Sequence, residues 1–163
     1  MPDGIPFAGL SFDLVVMTDV LEHLDDPSGA LVALRQRLNS GGWLLVTVPA
    51  LNWLWSAHDF SHHHRRRYRA EELASLIREA GFETVYLSYY NFFLFPFVAV
   101  ARLVRRRAAS PDGTHDLDVP IEPFNRLLYL VFSSERFILG KLSFPIGISL
   151  IALGRRPAEV GRF

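Results

Sequence analysis

The feature that most constrains this chain is an apolar run that stops in an acidic turn. Phe12-Asp13-Leu14-Val15-Val16-Met17-Thr18 passes directly into Asp19-Val20-Leu21-Glu22-His23-Leu24. Further on, Gly41-Gly42 opens a second such run, Trp43-Leu44-Leu45-Val46-Thr47-Val48, which ends at Pro49. Continuous apolar runs of this length are the mark of parallel strands covered on both faces and linked by helices. Open sheets of that kind bind ligands beyond the carboxyl ends of their strands. The turn from Thr18 to His23 is therefore the first place to expect a ligand.

With 163 residues, half of them apolar, the chain can bury the core of one domain. Its formal net charge is zero, so nothing draws it to nucleic acid. It has no cysteine, which excludes disulfides, zinc–thiolate sites and thiol catalysis. Met1-Pro2-Asp3-Gly4 lacks the basic start and apolar stretch of a secretory signal. No uncharged apolar run is long enough to span a bilayer as a helix. The expected location is cytoplasmic.

Between the two strands, Asp26-Pro27 reads as a helix start, with Asp26 the cap and Pro27 the first helical residue. Leu31, Leu34 and Leu38 mark one face, and Asn39-Ser40-Gly41-Gly42 ends the helix. Residues 50–69 are polar and aromatic and read as a long loop, a length that usually carries function or disorder. A helix follows at about 70–80, with Arg69 at the cap, Leu73, Leu76, Ile77 and Ala80 on its buried face, and Gly81 at its end. Thr84–Tyr90 reads as a third strand and Gly147–Leu153 as a compact last one. Residues 91–107 and 123–140 read as helices, separated by a solvated linker over 108–120 that contains Ser110-Pro111-Asp112-Gly113.

These pieces resemble, in order and spacing, the second half of a class I S-adenosylmethionine-dependent methyltransferase of the small methyltransferase-11/23-like type. The matching elements are Ile5-Pro6-Phe7, Phe12-Asp13-Leu14-Val15, Asp19-Val20-Leu21-Glu22-His23, Gly41-Gly42 with its strand and Pro49, Ala80-Gly81-Phe82, and Gly147 to Ala152. His58-Asp59, His64-x-Arg66-Arg67-Tyr68 and Leu94-Phe95-Pro96 match one subgroup. The resemblance implies an α/β fold: a truncated doubly wound, Rossmann-like sheet forming one partial domain over 1–163, with residues 91–140 as a helical cap or insertion. The family's glycine-rich turn (E-x-G-x-G-x-G) and the acid that grips the cofactor ribose have no counterpart here. On this resemblance the first three strand–helix units lie upstream of Met1, or a partner chain supplies them, or the chain is a non-catalytic relative that serves as an interaction module. The inner edge of the sheet would then be exposed and prone to self-association.

The resemblance implies S-adenosylmethionine as cofactor, with Thr18, Asp19, Val20, Leu21, Glu22 and His23 lining it and Glu22 and His23 near the acceptor. The plainer reading places Asp19 and Glu22 beside a helix start, where carboxylates are favourable, and makes His23 a packed, hydrogen-bonded histidine. Methyl transfer to a hydroxyl requires alignment of the nucleophile and a base for its proton, a task that suits histidine. His58 and His64 are the candidate bases. Asp59, Arg66, Arg67 and Tyr68 are the candidate acceptor contacts, since guanidinium forks bind carboxylate or phosphate bidentately. The competing reading of this basic run is a solvated loop entering the next helix. His62-His63-His64 is a run that can suggest a metal ligand set, but neighbours in an extended segment face opposite ways and no carboxylate–histidine spacing accompanies them, so no metal is expected.

Phe92-Phe93-Leu94-Phe95-Pro96-Phe97, with Arg102 and Arg105–Arg107, reads either as an interfacial element with its arginines at lipid headgroups or as an ordinary buried helix pair. The acceptor expected is a small molecule or a lipid-linked one, methylated at oxygen, with peripheral membrane contact under the first of these readings.

Overall fold

A computed structural model describes residues 9–108 and 122–158. The linker read over 108–120 and the Ile5-Pro6-Phe7 element lie outside them, apart from Ala108. The chain builds a four-stranded mixed sheet in the order β1-β2-β4-β3, where β1 is Phe12–Thr18, β2 Leu38–Pro49, β3 Glu83–Tyr90 and β4 Ser149–Arg155. β1 and β2 run parallel and β4 is antiparallel to both its neighbours. Helix α1 (Pro27–Arg37) crosses from β1 to β2, and α3 (Ala70–Glu79) precedes β3. This is the Rossmann-like α/β arrangement expected.

The local rules explain most element ends. Asp26 Oδ1 accepts the Gly29 amide at 2.8 Å, capping α1 ahead of Pro27. Glu72 Oε2 accepts the Arg69 amide at 2.8 Å and so starts α3 despite an arginine at the cap. α1 ends at Arg37, one residue before the expected Leu38. β2 starts at Leu38, opposite Phe12, rather than at Trp43. The reason is close backbone approach: a Cβ on Gly42 would lie 2.9 Å from the Asn39 carbonyl and 3.3 Å from that of Asp13.

One face of the sheet is covered. Leu31 of α1 and Leu73 and Ile77 of α3 pack with Met17, Leu44, Val46, Val48, Leu150 and Ala152, all buried. The other face contradicts the expectation of strands covered on both sides. Leu14 and Val16 of β1 are 53% and 51% exposed, and β1 is an edge with no strand on its outer side among the described residues.

Residues 91–107 form helix α4 only from Phe95 (Phe95–Ala108). The buried Glu135 holds the turn before it, accepting the Asn91 amide at 2.6 Å and that of Phe93 at 2.9 Å, and Asn91 takes φ +60°. Helix α5 covers Glu122–Ser134 and is followed by a short 3-10 turn, so the second helical stretch is shorter than the 123–140 expected. Among the described residues no helix is long and apolar enough to cross a membrane.

The last strand begins at Ser149 rather than Gly147, because Gly147 is spent on a crossing. A Cβ there would lie 2.3 Å from the Tyr90 carbonyl oxygen, a backbone atom that cannot give way. Gly147→Ala should therefore lower stability by about 2 kcal/mol, within the range for overpacking. The check is a shift of the urea midpoint at unchanged slope; an unaltered midpoint would show that the crossing is looser than placed.

Candidate functional site

The site forms where β1 and β2 end. Asp19 takes φ +52°, uncommon for a residue with a side chain, and donates its amide to the Thr47 carbonyl at 3.0 Å. That bond turns the chain off the sheet into a single 3-10 turn, Leu21–His23. Leu21 falls into the core, and Glu22 is likewise completely buried, while Thr18, Asp19 and Val20 stay exposed. Of the turn read as cofactor-lining, Asp19 and His23 therefore face open space, and Leu21 and Glu22 point inward.

The long loop after β2 is closed at its base. Tyr68 donates its amide to Pro49 and accepts that of Leu51, both at 2.9 Å. Inside it, α2 (Ala57–Ser61) starts with a reciprocal cap between Ser56 and Asp59. Asp59 is the anchor of the loop. Its Oδ1 accepts Arg67 Nε at 2.7 Å and faces His64 Nδ1 at 3.0 Å; its Oδ2 accepts Arg67 Nη2 at 2.9 Å and the Ser56 amide at 2.9 Å. Burial by itself would raise this carboxyl, but the bonds from Arg67 and His64 outweigh it and hold it below the ordinary carboxylate range. Arg67 spends its remaining fork nitrogen on the Ala50 carbonyl at 3.1 Å.

The arginine run is graded from an exposed Arg65 to a buried Arg67, and each member has a partner. Arg65 pairs with Asp25, Arg66 donates to the Leu24 carbonyl at 2.9 Å, and Arg67 takes Asp59. Three successive cations thus fasten the loop to the Thr18–Leu24 turn and to itself. The Arg65 amide adds a bond to the Glu22 carbonyl at 2.9 Å. Tyr68 is buried with its hydroxyl 3.3 Å from the Leu21 carbonyl, and that burial pushes its phenol up to about 12. Of the residues read as acceptor contacts, Asp59, Arg66 and Tyr68 are placed in the scaffold. Arg67 does both, since its side chain also borders the cavity.

That cavity, about 360 Å³, is lined by Asp19, His23, Pro49, His58, His62, His64, Arg67, Ile148 and Ser149. Four imidazoles converge there. The His23 and His64 rings meet edge to face at 4.8 Å, and those of His58 and His62 lie 4.2 Å apart. Asp59 holds His64 rather than its neighbour in sequence, His58, because adjacent helical residues point apart. His62 belongs to the wall and was not singled out from sequence, although the histidine run was the signal.

Glu22 lies behind this wall. Both carboxylate oxygens are buried, with no hydrogen-bond partner among the described residues. Burial, with the nearby Asp19 charge adding to it, pushes its carboxyl up from 4.5 to about 7 against the opposing pull of Glu22's own backbone amide and of His64 and Arg67. No run of neighbouring residues signals this, because the burial comes from the 50–69 loop folding over the turn.

A mixed sheet with an acidic turn after a parallel strand and a polar cavity beyond the strand ends defines a Rossmann-like α/β fold of the kind that binds ligands at its strand ends. A methyltransferase-domain family model matches residues 1–87, and the chain belongs to that family of class I S-adenosylmethionine-dependent methyltransferases. Over 86 residues it is 31% identical to the ubiquinone biosynthesis O-methyltransferase of Thiobacillus denitrificans, an alignment covering 45% of this chain and 37% of that protein. A shorter stretch of 37 residues is 53% identical to the mitochondrial ubiquinone biosynthesis O-methyltransferase of Candida albicans, covering 23% of this chain and 11% of the relative. The chain thus spans less than two fifths of these curated relatives. Among solved structures, a methyltransferase from Bacillus halodurans superposes with TM-score 0.53 at 18% identity, covering 95% of this chain and 68% of that one. A chain of the Haloferax volcanii complex between the Trm112 methyltransferase activator and a methyltransferase gives 0.54 at 17%, covering 98% and 60%. At such identities the likeness is one of fold.

The residues present suit S-adenosylmethionine as one wall of its pocket. Val20 offers exposed apolar surface and Asp19 an exposed carboxylate at the mouth of the cavity, beside a strand end whose amide is already satisfied.

Proposed function

We propose that this chain forms the acceptor side of an S-adenosylmethionine-dependent methyltransferase domain that acts at an oxygen atom. The observation that carries the reading is the cavity beyond the ends of β1 and β2, walled by Asp19 and four imidazoles. When bound, the cofactor supplies a methyl group activated on sulfur. Asp19 and Val20 would border it, and Thr18 would flank them.

The chain's own residues would orient the acceptor oxygen in the cavity and take its proton as the new carbon–oxygen bond forms. His58 is the base in this reading. His64 has its Nδ1 committed to Asp59 and its Nε2 turned to Glu22 rather than to open space, so it serves as an organising residue. Asp59, Arg66 and Tyr68 act as positioning residues, and Arg67 both anchors the loop and meets an anionic group of the acceptor. The O-methyltransferase names of the relatives favour an oxygen acceptor. A stripe of exposed apolar side chains on α4 (Phe97, Val100, Val104), with Tyr129, Leu130 and Phe132 of α5, favours an acceptor carrying a lipid-like tail or a membrane surface beside this cap. In this reading residues 91–140 are the substrate-side cap.

The remaining wall would come from a segment packed on the bare edge of β1, either from preceding residues of a longer polypeptide or from a partner chain. The outer edge of β1, unpaired among the described residues, supports this, with Leu14 and Val16 exposed on its bare face, and a second copy would self-associate at the same place. Calorimetric titration with S-adenosylhomocysteine tests the reading. Binding by this chain, or by a longer one that begins upstream, supports it; no heat from either at millimolar ligand refutes it. In the binding-competent form, His58→Gln should lower kcat by about 10²–10⁴, the range for a lost general base. Unchanged turnover would remove His58 from that role.

A further inference from the structure

We propose that Glu22 Oε1 and the Nε2 atoms of His23 and His64 form a binding site for a divalent first-row transition cation, with Zn²⁺ the best match. The expectation of no metal weighed only residues near the histidine run in sequence. The fold brings the missing carboxylate from the other side of β2.

Geometry comes first. His23 Nε2 and His64 Nε2 each lie 3.9 Å from the same Glu22 Oε1, and the three ligand atoms are all within 4.8 Å of one another. A tetrahedral site with bonds of about 2.0–2.1 Å has ligand atoms about 3.4 Å apart. Small side-chain rotations close that difference, and His23, 38% exposed, is free to make the largest.

The second argument is what the carboxylate lacks. A buried carboxylate that its surroundings compensate only weakly is costly in an interior, and beyond its own backbone amide Glu22 has no close hydrogen-bond partner among the described residues, only the two imidazoles at 3.9 Å. Asp59 faces His64 Nδ1 at 3.0 Å, a contact that favours the proton on that nitrogen and leaves Nε2, 3.9 Å from Glu22 Oε1, as the one able to ligate. A lone pair facing a carboxylate oxygen repels unless a cation or a proton lies between them. The Asp59–His64 pair is also the outer-shell arrangement that orients metal-bound histidines, and Arg67 and Ser56 hold Asp59 itself in place.

Ligand chemistry narrows the ion. Two imidazoles and one carboxylate suit zinc and its neighbours, whereas calcium and magnesium prefer all-oxygen sets and copper(I) prefers sulfur. Three protein ligands leave a position open, and two of the three, His23 and His64, line the cavity. The site borders the cavity assigned to the acceptor but does not rest on methyl transfer, so failure to bind S-adenosylhomocysteine would leave it untouched.

The experiment is metal uptake by the purified chain. After chelator treatment and dialysis, Zn²⁺ titration by calorimetry should give one equivalent bound with submicromolar affinity. Co²⁺ should give the visible bands of a four- or five-coordinate nitrogen–oxygen site. Glu22→Gln and His23→Asn should each weaken Zn²⁺ binding at least 100-fold. Asp59→Asn should weaken it about 10–100-fold while keeping the stoichiometry, as an outer-shell change does. His63→Asn, on the exposed part of the run and at φ +56°, should change it less than twofold. Far-UV circular dichroism certifies each variant as folded, and the half-exposed His23 keeps the test open should a change at Glu22 unfold the chain. No stoichiometric uptake by the wild-type chain overturns the site. So does an effect of His63→Asn as large as that of Glu22→Gln, which would assign the binding to the surface run.

Discussion

Asp59→Ala should cost the folded chain about 3–5 kcal/mol, the range for removing one partner of a buried ion pair. Small domains hold only about 5–15 kcal/mol in total, so most of the stability should go. The reason lies in what is left behind. Arg67 is 7% exposed and gives two of its nitrogens to Asp59, so the truncation strands a buried guanidinium. The same change removes the cap on Ser56 and the acceptor for His64. Urea unfolding measures the loss directly. The double variant Asp59→Leu with Arg67→Met should recover much of it, since no charge is then left uncompensated. A loss below about 1 kcal/mol for Asp59→Ala would mean that the pair is open to water in solution and that the loop is held by other contacts.

The same loop separates what the sequence could carry from what it could not. The strands at 12–18 and near 43–48, the cap at Asp26-Pro27 and the helix entered at Arg69 depend on neighbours within a few residues, and all are legible in the order of side chains. The turn after β1 is legible for a related reason: an apolar run that ends abruptly fixes where a strand must stop. The bonds of the 50–69 loop are different. Nothing in His58-Asp59 says that the carboxylate turns to His64 and Arg67, because one turn of helix decides which way it points. Nor does Arg65-Arg66-Arg67 say that its three cations take three separate anchors. Chemistry that looked like acceptor binding is partly internal scaffolding. The bare face of β1 was also hidden, since Leu14 and Val16 alternate within a run that reads as buried throughout.

This division bears on how the family's chemistry is placed here. Asp19 and Val20, exposed at the strand end, are positioned by the sheet, which local sequence specifies well. Three of the four imidazoles, His58, His62 and His64, are positioned by the loop, which depends on Asp59, whereas His23 sits on the turn after β1. A variant that loosens the loop should therefore leave the sheet's wall and His23 intact while scattering the other three histidines, so the two halves of the site are separable by mutation.

Glu22→Met should make the metal-free chain more stable than wild type, while removing its capacity to take up Zn²⁺. The carboxyl is raised from 4.5 to about 7 by burial, and holding it ionised in the fold costs on the order of 3 kcal/mol. The sign follows from which state resists ionisation. Below about pH 4.5 the group is protonated both folded and unfolded, and there is no penalty. Between about pH 4.5 and 7 the unfolded chain ionises freely while the folded chain does not, so wild-type stability falls through this window. In EDTA, methionine of similar volume should thus match wild type near pH 4 and exceed it by about 2–3 kcal/mol at pH 8. Zinc should invert the order. A ligand that binds only the folded state at 1,000 times its dissociation constant adds about 4 kcal/mol, and only the chain with Glu22 can receive it. Urea midpoints at the two pH values, with EDTA and with Zn²⁺, give all four comparisons. If Glu22→Met proves less stable than wild type at pH 8 in EDTA, the carboxylate has a partner in solution, and the argument from its isolation fails. If the order inverts only with Zn²⁺, the chain keeps a costly buried acid in a fold that would be firmer without it, as sites that bind a cation for function commonly do.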